Sequence, residues 1–116
     1  GYMYQHGMGI DQNYGIAVEL YRKAADQGYA PAQSNLASRY LKGEGVSQDY
    51  KKAFYYFQEA ANQGRVAAQI NLGHLYGEGK GVTQDMNRAK YWFNKACEGG
   101  EQDGCYNSRL IDLQRY

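Results

Sequence analysis

The 116-residue chain repeats itself every 36 residues, and that period constrains its fold more than any other feature. Gly28, Gly64 and Gly100 keep the interval, as do Ala17, Ala53 and Ala89, and Asn35, Asn71 and Asn107. Gly7, Gly43 and Gly79 keep it too, and so do Gly9, Gly45 and Gly81, each of the latter followed by Ile10, Val46 or Val82. A unit of this size is one supersecondary element that cannot bury its apolar face alone, so neighbouring units have to stack. The 15 glycines, against a single proline, are then punctuation between helices and not low complexity.

Each unit reads as two helices. In the second helix Ala53, Phe57 and Ala60 fall at i, i+4 and i+7, one helical face, and Ala89, Phe93, Ala96 and Ala17, Tyr21, Ala24 repeat it. Small residues around one ring let two helices approach closely while the ring fills the gap. Asp49 and Asp85 stand four residues ahead of those alanines as N-caps, with Asn13 in that place in the first unit. Gly64 and Gly100 follow the helix, where a left-handed residue ends it. The first helix is predicted to be shorter, over 32–41 and 68–76, with Leu36 and Tyr40, then Leu72 and Tyr76, on its inward face. Glycine-rich stretches at 43–46 and 77–82 connect the two helices. Gly79-Lys80-Gly81 lacks the Ser/Thr that a phosphate-binding loop places after its lysine, so the glycines read as turns.

Charge and composition exclude several functions. A formal net charge of +1 offers no field for a phosphate backbone or an anionic lipid surface, so neither nucleic acid nor membrane insertion is expected. No apolar run approaches the ~20 residues of a membrane helix. Ser34, Ser38, Ser47 and Ser108 are the serines, and none has a lysine three residues on. His6 and His74 lie in different units and no C-x-x-C occurs, which argues against zinc. Carboxylates are scattered singly along helix surfaces, as on a solvated face. No catalytic residues and no cofactor are expected.

These residues carry a family resemblance. Asn35-Leu36, Tyr40, Gly43-Glu44-Gly45-Val46, Asp49, Lys52-Ala53, Tyr56-Phe57, Ala60-Ala61 and Gln63-Gly64 together resemble one complete Sel-one-like repeat, a relative of the tetratricopeptide repeat. Residues 67–100 are similar to a second, with Trp92 at the aromatic position, and residues 1–28 resemble a third that lacks most of its first helix. The expected architecture is all-α, a right-handed α/α superhelical solenoid of about three helix–turn–helix repeats: 1–28 partial, 29–64, 65–100, and a polar-faced terminal capping helix over 101–116. Because Gly1 falls mid-helix, in the column of Ala37 and Gly73, the chain reads as part of a longer protein. The resemblance implies a scaffold or adaptor that binds another protein or a peptide.

Cys97 and Cys105 are the two cysteines, in the columns of Ala25 and Ala61 and of Gln33 and Gln69. Their spacing resembles that of the disulfides in the cysteine-rich, secreted branch of the family. The residues themselves also fit two reduced, half-buried thiols. A disulfide would mean a periplasmic or secreted location, reduced thiols a cytoplasmic one.

A solenoid of helix pairs lines its concave surface with the first helices. Tyr2, Gln5, Ser34, Asn35, Ser38, Leu41, Ile70, Asn71, His74 and Tyr106 are the expected partner-binding residues of that groove. Apolar residues aligned across units suit a peptide or partner helix, and the Asn column suits bonds to an extended backbone. The same asparagines would equally tie first helix to connector. Two alternatives to an interaction module follow from the family: an exported binder of cell-wall fragments or β-lactams, and a structural spacer in a longer chain.

Overall fold

The computed structural model describes the backbone of residues 8–114 and the side chains of residues 15–113. Six helices follow one another: α1 (Met8–Asp26), α2 (Ala30–Lys42), α3 (Tyr50–Asn62), α4 (Val66–Glu78), α5 (Met86–Glu98) and α6 (Gln102–Gln114). No strand occurs among the described residues. Each helix packs chiefly on the one before and the one after it, which draws the molecule out to 53 × 26 × 25 Å. The fold is an α/α solenoid of helix–turn–helix units.

Local chemistry sets the second helices. The Asp49 carboxylate accepts from the Lys52 backbone N–H and Asp85 from that of Arg88, both at 3.1 Å, so each satisfies a donor the first helical turn leaves open. At the other end Gly64 turns left-handed with φ 90°. Its N–H donates to Ala61 O at 3.0 Å while Arg65 N–H donates to Ala60 O at 3.2 Å, a Schellman closure.

The first helices differ from expectation. α2 and α4 have 13 residues each, as long as α3 and α5. Gly77 and Glu78, read as connector, form the last turn of α4. The chain stops being helical at the left-handed Gly43 and Gly79, whose N–H groups bond back to Arg39 O and Leu75 O. Asn13 also differs, lying inside α1 and not at its start. In the other two units the connector is tied back to the first helix, Asp49 N–H to Tyr40 O and Asp85 N–H to Tyr76 O, both at 2.9 Å.

The core follows the repeated face. Ala53, Phe57, Ala60, Ala89 and Ala96 are buried, as are Leu36, Ala37, Leu72 and Tyr76. In the first unit Ala17, Tyr21 and Ala24 are half-buried. Close approach is built in at Gly73, where a Cβ would stand 2.6 Å from the Phe93 ring.

The last junction is built differently from the one before it. Between α3 and α4, Phe54 meets Tyr76 edge-on at 5.2 Å. The same two columns between α5 and α6 hold Lys90 and Asp112, paired at 2.5 Å. The column of Leu72 holds Ser108, which donates to Asn94 Oδ1 at 2.5 Å. Gln33 and Gln69 clamp the earlier junctions by donating to Ala25 O and Ala61 O, both at 3.3 Å. Cys105 and Cys97 occupy those columns and form a disulfide, with Cα atoms 4.7 Å apart. A covalent bond thus stands where the earlier units use an amide hydrogen bond.

Closing so short a loop stabilises by roughly 2–3 kcal/mol in the chain-entropy picture. Thiol counting in denaturant without reductant should therefore find none. Added phosphine reductant should lower the unfolding midpoint, with amide exchange rising first over 102–114. An unchanged midpoint on full reduction would show that the bond carries no stability.

Candidate functional site

Two clefts open on the flank formed by the first helices α2, α4 and α6. One, about 480 Å³, is lined by Leu41, Gln48, Tyr50, Asn71, His74 and Leu75, with Glu78 and Lys80 at its edge. The other, about 160 Å³, is lined by Gly77, Met86, Asn107, Leu110 and Ile111, with Gly73, His74, Glu78 and Phe93. Leu41, Tyr50, Asn71, His74 and Leu75 lie 36 residues before Gly77, Met86, Asn107, Leu110 and Ile111, so the two clefts are one feature built twice.

The copies differ in chemistry. The first is polar: Lys80 Nζ pairs with Glu78 at 2.9 Å and lies 5.4 Å from the Tyr50 ring centre. The hydrogen bond and charge of Glu78 hold the Lys80 ammonium above the usual lysine value. The second is largely apolar, and Gly77 stands in it where the first has Leu41. His74 forms the wall between them, its ring edge-to-face with Phe93 at 5.1 Å.

Of the residues expected to line the groove, Leu41, Asn71 and His74 meet at the first cleft. Asn35 is exposed and Ser38 half-buried on α2, neither at a cleft. Asn71 donates to Ala67 O one turn back in its own helix at 3.1 Å, not to the connector. Ser34 is buried, with 7% of its surface exposed, and Ile70 is half-buried against the core. Ser34 therefore belongs to the packing between helices, while Ile70 keeps part of its surface open. Tyr106, in the same column, is 62% exposed. Tyr2 and Gln5 lie outside the described residues. Tyr50 and Met86 were missed because they come from the start of a second helix. The signal that finds them is the 36-residue column itself.

The opposite flank, formed by α1, α3 and α5, carries a second repeated pair of clefts. Ala25, Asp26, Gly28, Gln33, Tyr55, Tyr56 and Glu59 line one of about 350 Å³, with Gln63. Ala61, Asn62, Gly64, Gln69, Tyr91, Trp92 and Lys95, each 36 residues on, line another of about 260 Å³. Each holds an edge-to-face aromatic pair at 5.1 Å, Tyr55 with Tyr56 and Tyr91 with Trp92. Glu59 accepts from the Tyr55 hydroxyl and holds that phenol above its usual value, while burial pushes the Tyr56 phenol up. No group of three or more His, Cys, Asp or Glu is placed to hold a metal ion among the described residues.

Stacked helix hairpins with repeated clefts on both flanks define a repeat module of the tetratricopeptide-like class. The family model for the Sel1 repeat matches residues 1–29, 30–64 and 66–101, and the chain belongs to the Sel1 repeat family. Its structure is similar to that of c5321, a protective antigen present in uropathogenic Escherichia coli strains displaying an SLR fold, with TM-score 0.79 and 42% identity over 88% of this chain. A Sel1 repeat protein from Oxalobacter formigenes gives 0.83 and 35% over 95% of the chain. Helicobacter pylori cysteine rich protein B gives 0.73 and 28% over 76%. The chain spans 22%, 45% and 66% of the lengths of those three proteins. No curated protein matches it. Sel1 repeats commonly mediate protein–protein interactions, and proteins built from them are generally scaffolds and not enzymes. No helix among the described residues is long and apolar enough to cross a membrane.

Proposed function

We propose that the chain is an exported interaction module that takes a peptide segment or a partner helix along the α2–α4–α6 flank. The observation that carries this reading is the duplicated cleft. A partner lying across the first helices meets the same five columns twice, first as a polar site around Tyr50, Glu78 and Lys80, then as an apolar one over Gly77. An apolar side chain entering the second cleft replaces the missing Leu of that column, and polar groups of the partner face the first. Export is supported by the disulfide, which persists in oxidising compartments, and by the likeness to a cysteine-rich Helicobacter protein.

Gly77→Leu tests the groove. A Cβ at Gly77 stands 3.8 Å from Ala89 Cβ, an ordinary contact, and the new side chain fills the cleft. Replacing a helical glycine adds up to about 1 kcal/mol of stability, so the variant is expected to melt at or above the parent. Ile70→Asp is a poorer probe, since it places a charge against the core. In affinity capture from an extract of the source cells, a partner retained by the parent and lost by Gly77→Leu supports the reading. Capture of the same set by both variants overturns it, and capture by neither favours the spacer.

A further inference from the structure

The two aromatic clefts on the α1–α3–α5 flank differ at one atom that has a defined chemical need. In the first, Gln33 is buried, its Nε2 donates to Ala25 O, and its Oε1 accepts from Gln63 Nε2 at 2.8 Å. In the second, Gln69 is 6% exposed and its Nε2 donates to Ala61 O in the same way. Its Oε1 has no hydrogen-bond partner among the described residues. The column of Gln63 holds Gly99 here, so the donating amide is missing. A side chain at Gly99 is also obstructed, because its Cβ would lie 2.7 Å from Val66 Cγ2, where the preceding unit has the smaller Ala30.

A buried carbonyl oxygen without a donor is costly, and a site that offers one selects strongly for a group that supplies it. The first cleft shows which group fits: a primary amide. We propose that the cleft bounded by Gln69, Tyr91, Trp92 and Lys95 is a second binding site, which receives the side-chain amide of a glutamine or asparagine from a partner polypeptide. The amide N–H donates to Gln69 Oε1 as Gln63 donates to Gln33. The cleft, about 260 Å³, has room for one such side chain, and the Tyr91–Trp92 pair supplies apolar walls for its methylene stem. Lys95 Nζ lies 5.8 Å from the Tyr91 ring centre and sets positive charge at the mouth, which disfavours arginine or lysine as the donor and leaves a neutral amide. This site uses none of the groove residues and does not depend on the groove reading.

The test titrates the 116-residue chain with propionamide and, separately, with butanone, its near-isostere without an N–H. The Gln69 side-chain amide and Trp92 indole resonances are followed. Saturable shifts with propionamide, at least about tenfold tighter than with butanone, are expected. In the Val66→Ala, Gly99→Gln double variant, which rebuilds the internal donor of the preceding unit, the preference for the amide should vanish. Equal response to both probes, or no saturable response to propionamide, would overturn the proposal. The comparison of probes on the parent chain decides this even if the double variant fails to fold.

Discussion

Ala60→Asp is expected to abolish cooperative folding at room temperature. Ala60 is 0% exposed, and its carbonyl is one of the groups that close α3. A carboxylate at that Cβ has no room for water and no cation built to meet it. An unpaired buried charge costs at least several kcal/mol. The net stability of a small domain is only about 5–15 kcal/mol, so one such charge consumes much of it. Far-ultraviolet circular dichroism and urea titration read the outcome, a lost helical signal or a midpoint near zero denaturant. Asn62→Asp, two residues away and exposed, is the control and should stay within about 0.5 kcal/mol of the parent. A parental midpoint for Ala60→Asp would show that this face of α3 is not packed.

Gly104→Ala is expected to lift α6 off α5. The column holds alanine in the two earlier units, Ala32 and Ala68, and one methyl group looks harmless there. In the last unit a Cβ would stand 2.5 Å from Phe93 O and 2.8 Å from Cys97 N, both backbone atoms that cannot rotate away. Closer approach accompanies the disulfide, whose Cα atoms are 4.7 Å apart one residue further on. Overpacking of this kind costs about 1–3 kcal/mol or more. Exchange should rise over 102–114 while 66–98 stays protected, and the apolar cleft lined by Leu110 and Ile111 should open with it. Gly77→Ala makes the same chemical change where the nearest atom is 3.8 Å away and should stabilise instead. Equal effects at the two positions would show that the close approach at Gly104 is not what limits docking.

The contrast between those two glycines also marks how far the sequence was readable. The 36-residue period identifies both as members of columns but not which one touches backbone. Periodicity placed Phe57 and Leu36 inside, because a helical face repeats its direction every 3.6 residues whatever lies opposite. Ser34 is buried where open surface was expected, for the same reason. The helical wheel gives an angle about the axis, while burial at that angle depends on which helix arrives there. The starts of α2 and α4 were placed two residues late because both begin without a side-chain cap, and the end of α4 was placed two residues early because Gly77 reads as a turn. Their first turns start on the backbone carbonyls of Tyr29 and Arg65, and Pro31 in the first turn of α2 is the one residue type there that marks a start.

Local chemistry along the chain was enough for the all-α class, the repeat, the capping of α3 and α5 by Asp49 and Asp85, and the glycines that end them. Each of those depends on atoms within about five residues of one another, so spacing and residue type decide them. Docking of helix on helix decided the rest. The pairing of Lys90 with Asp112, the cleft around Gly77 and the orphaned Oε1 of Gln69 arise between segments up to 38 residues apart. Their existence turns on fractions of an ångström in helix approach, which is set by the packing of many side chains at once and is written in no single motif.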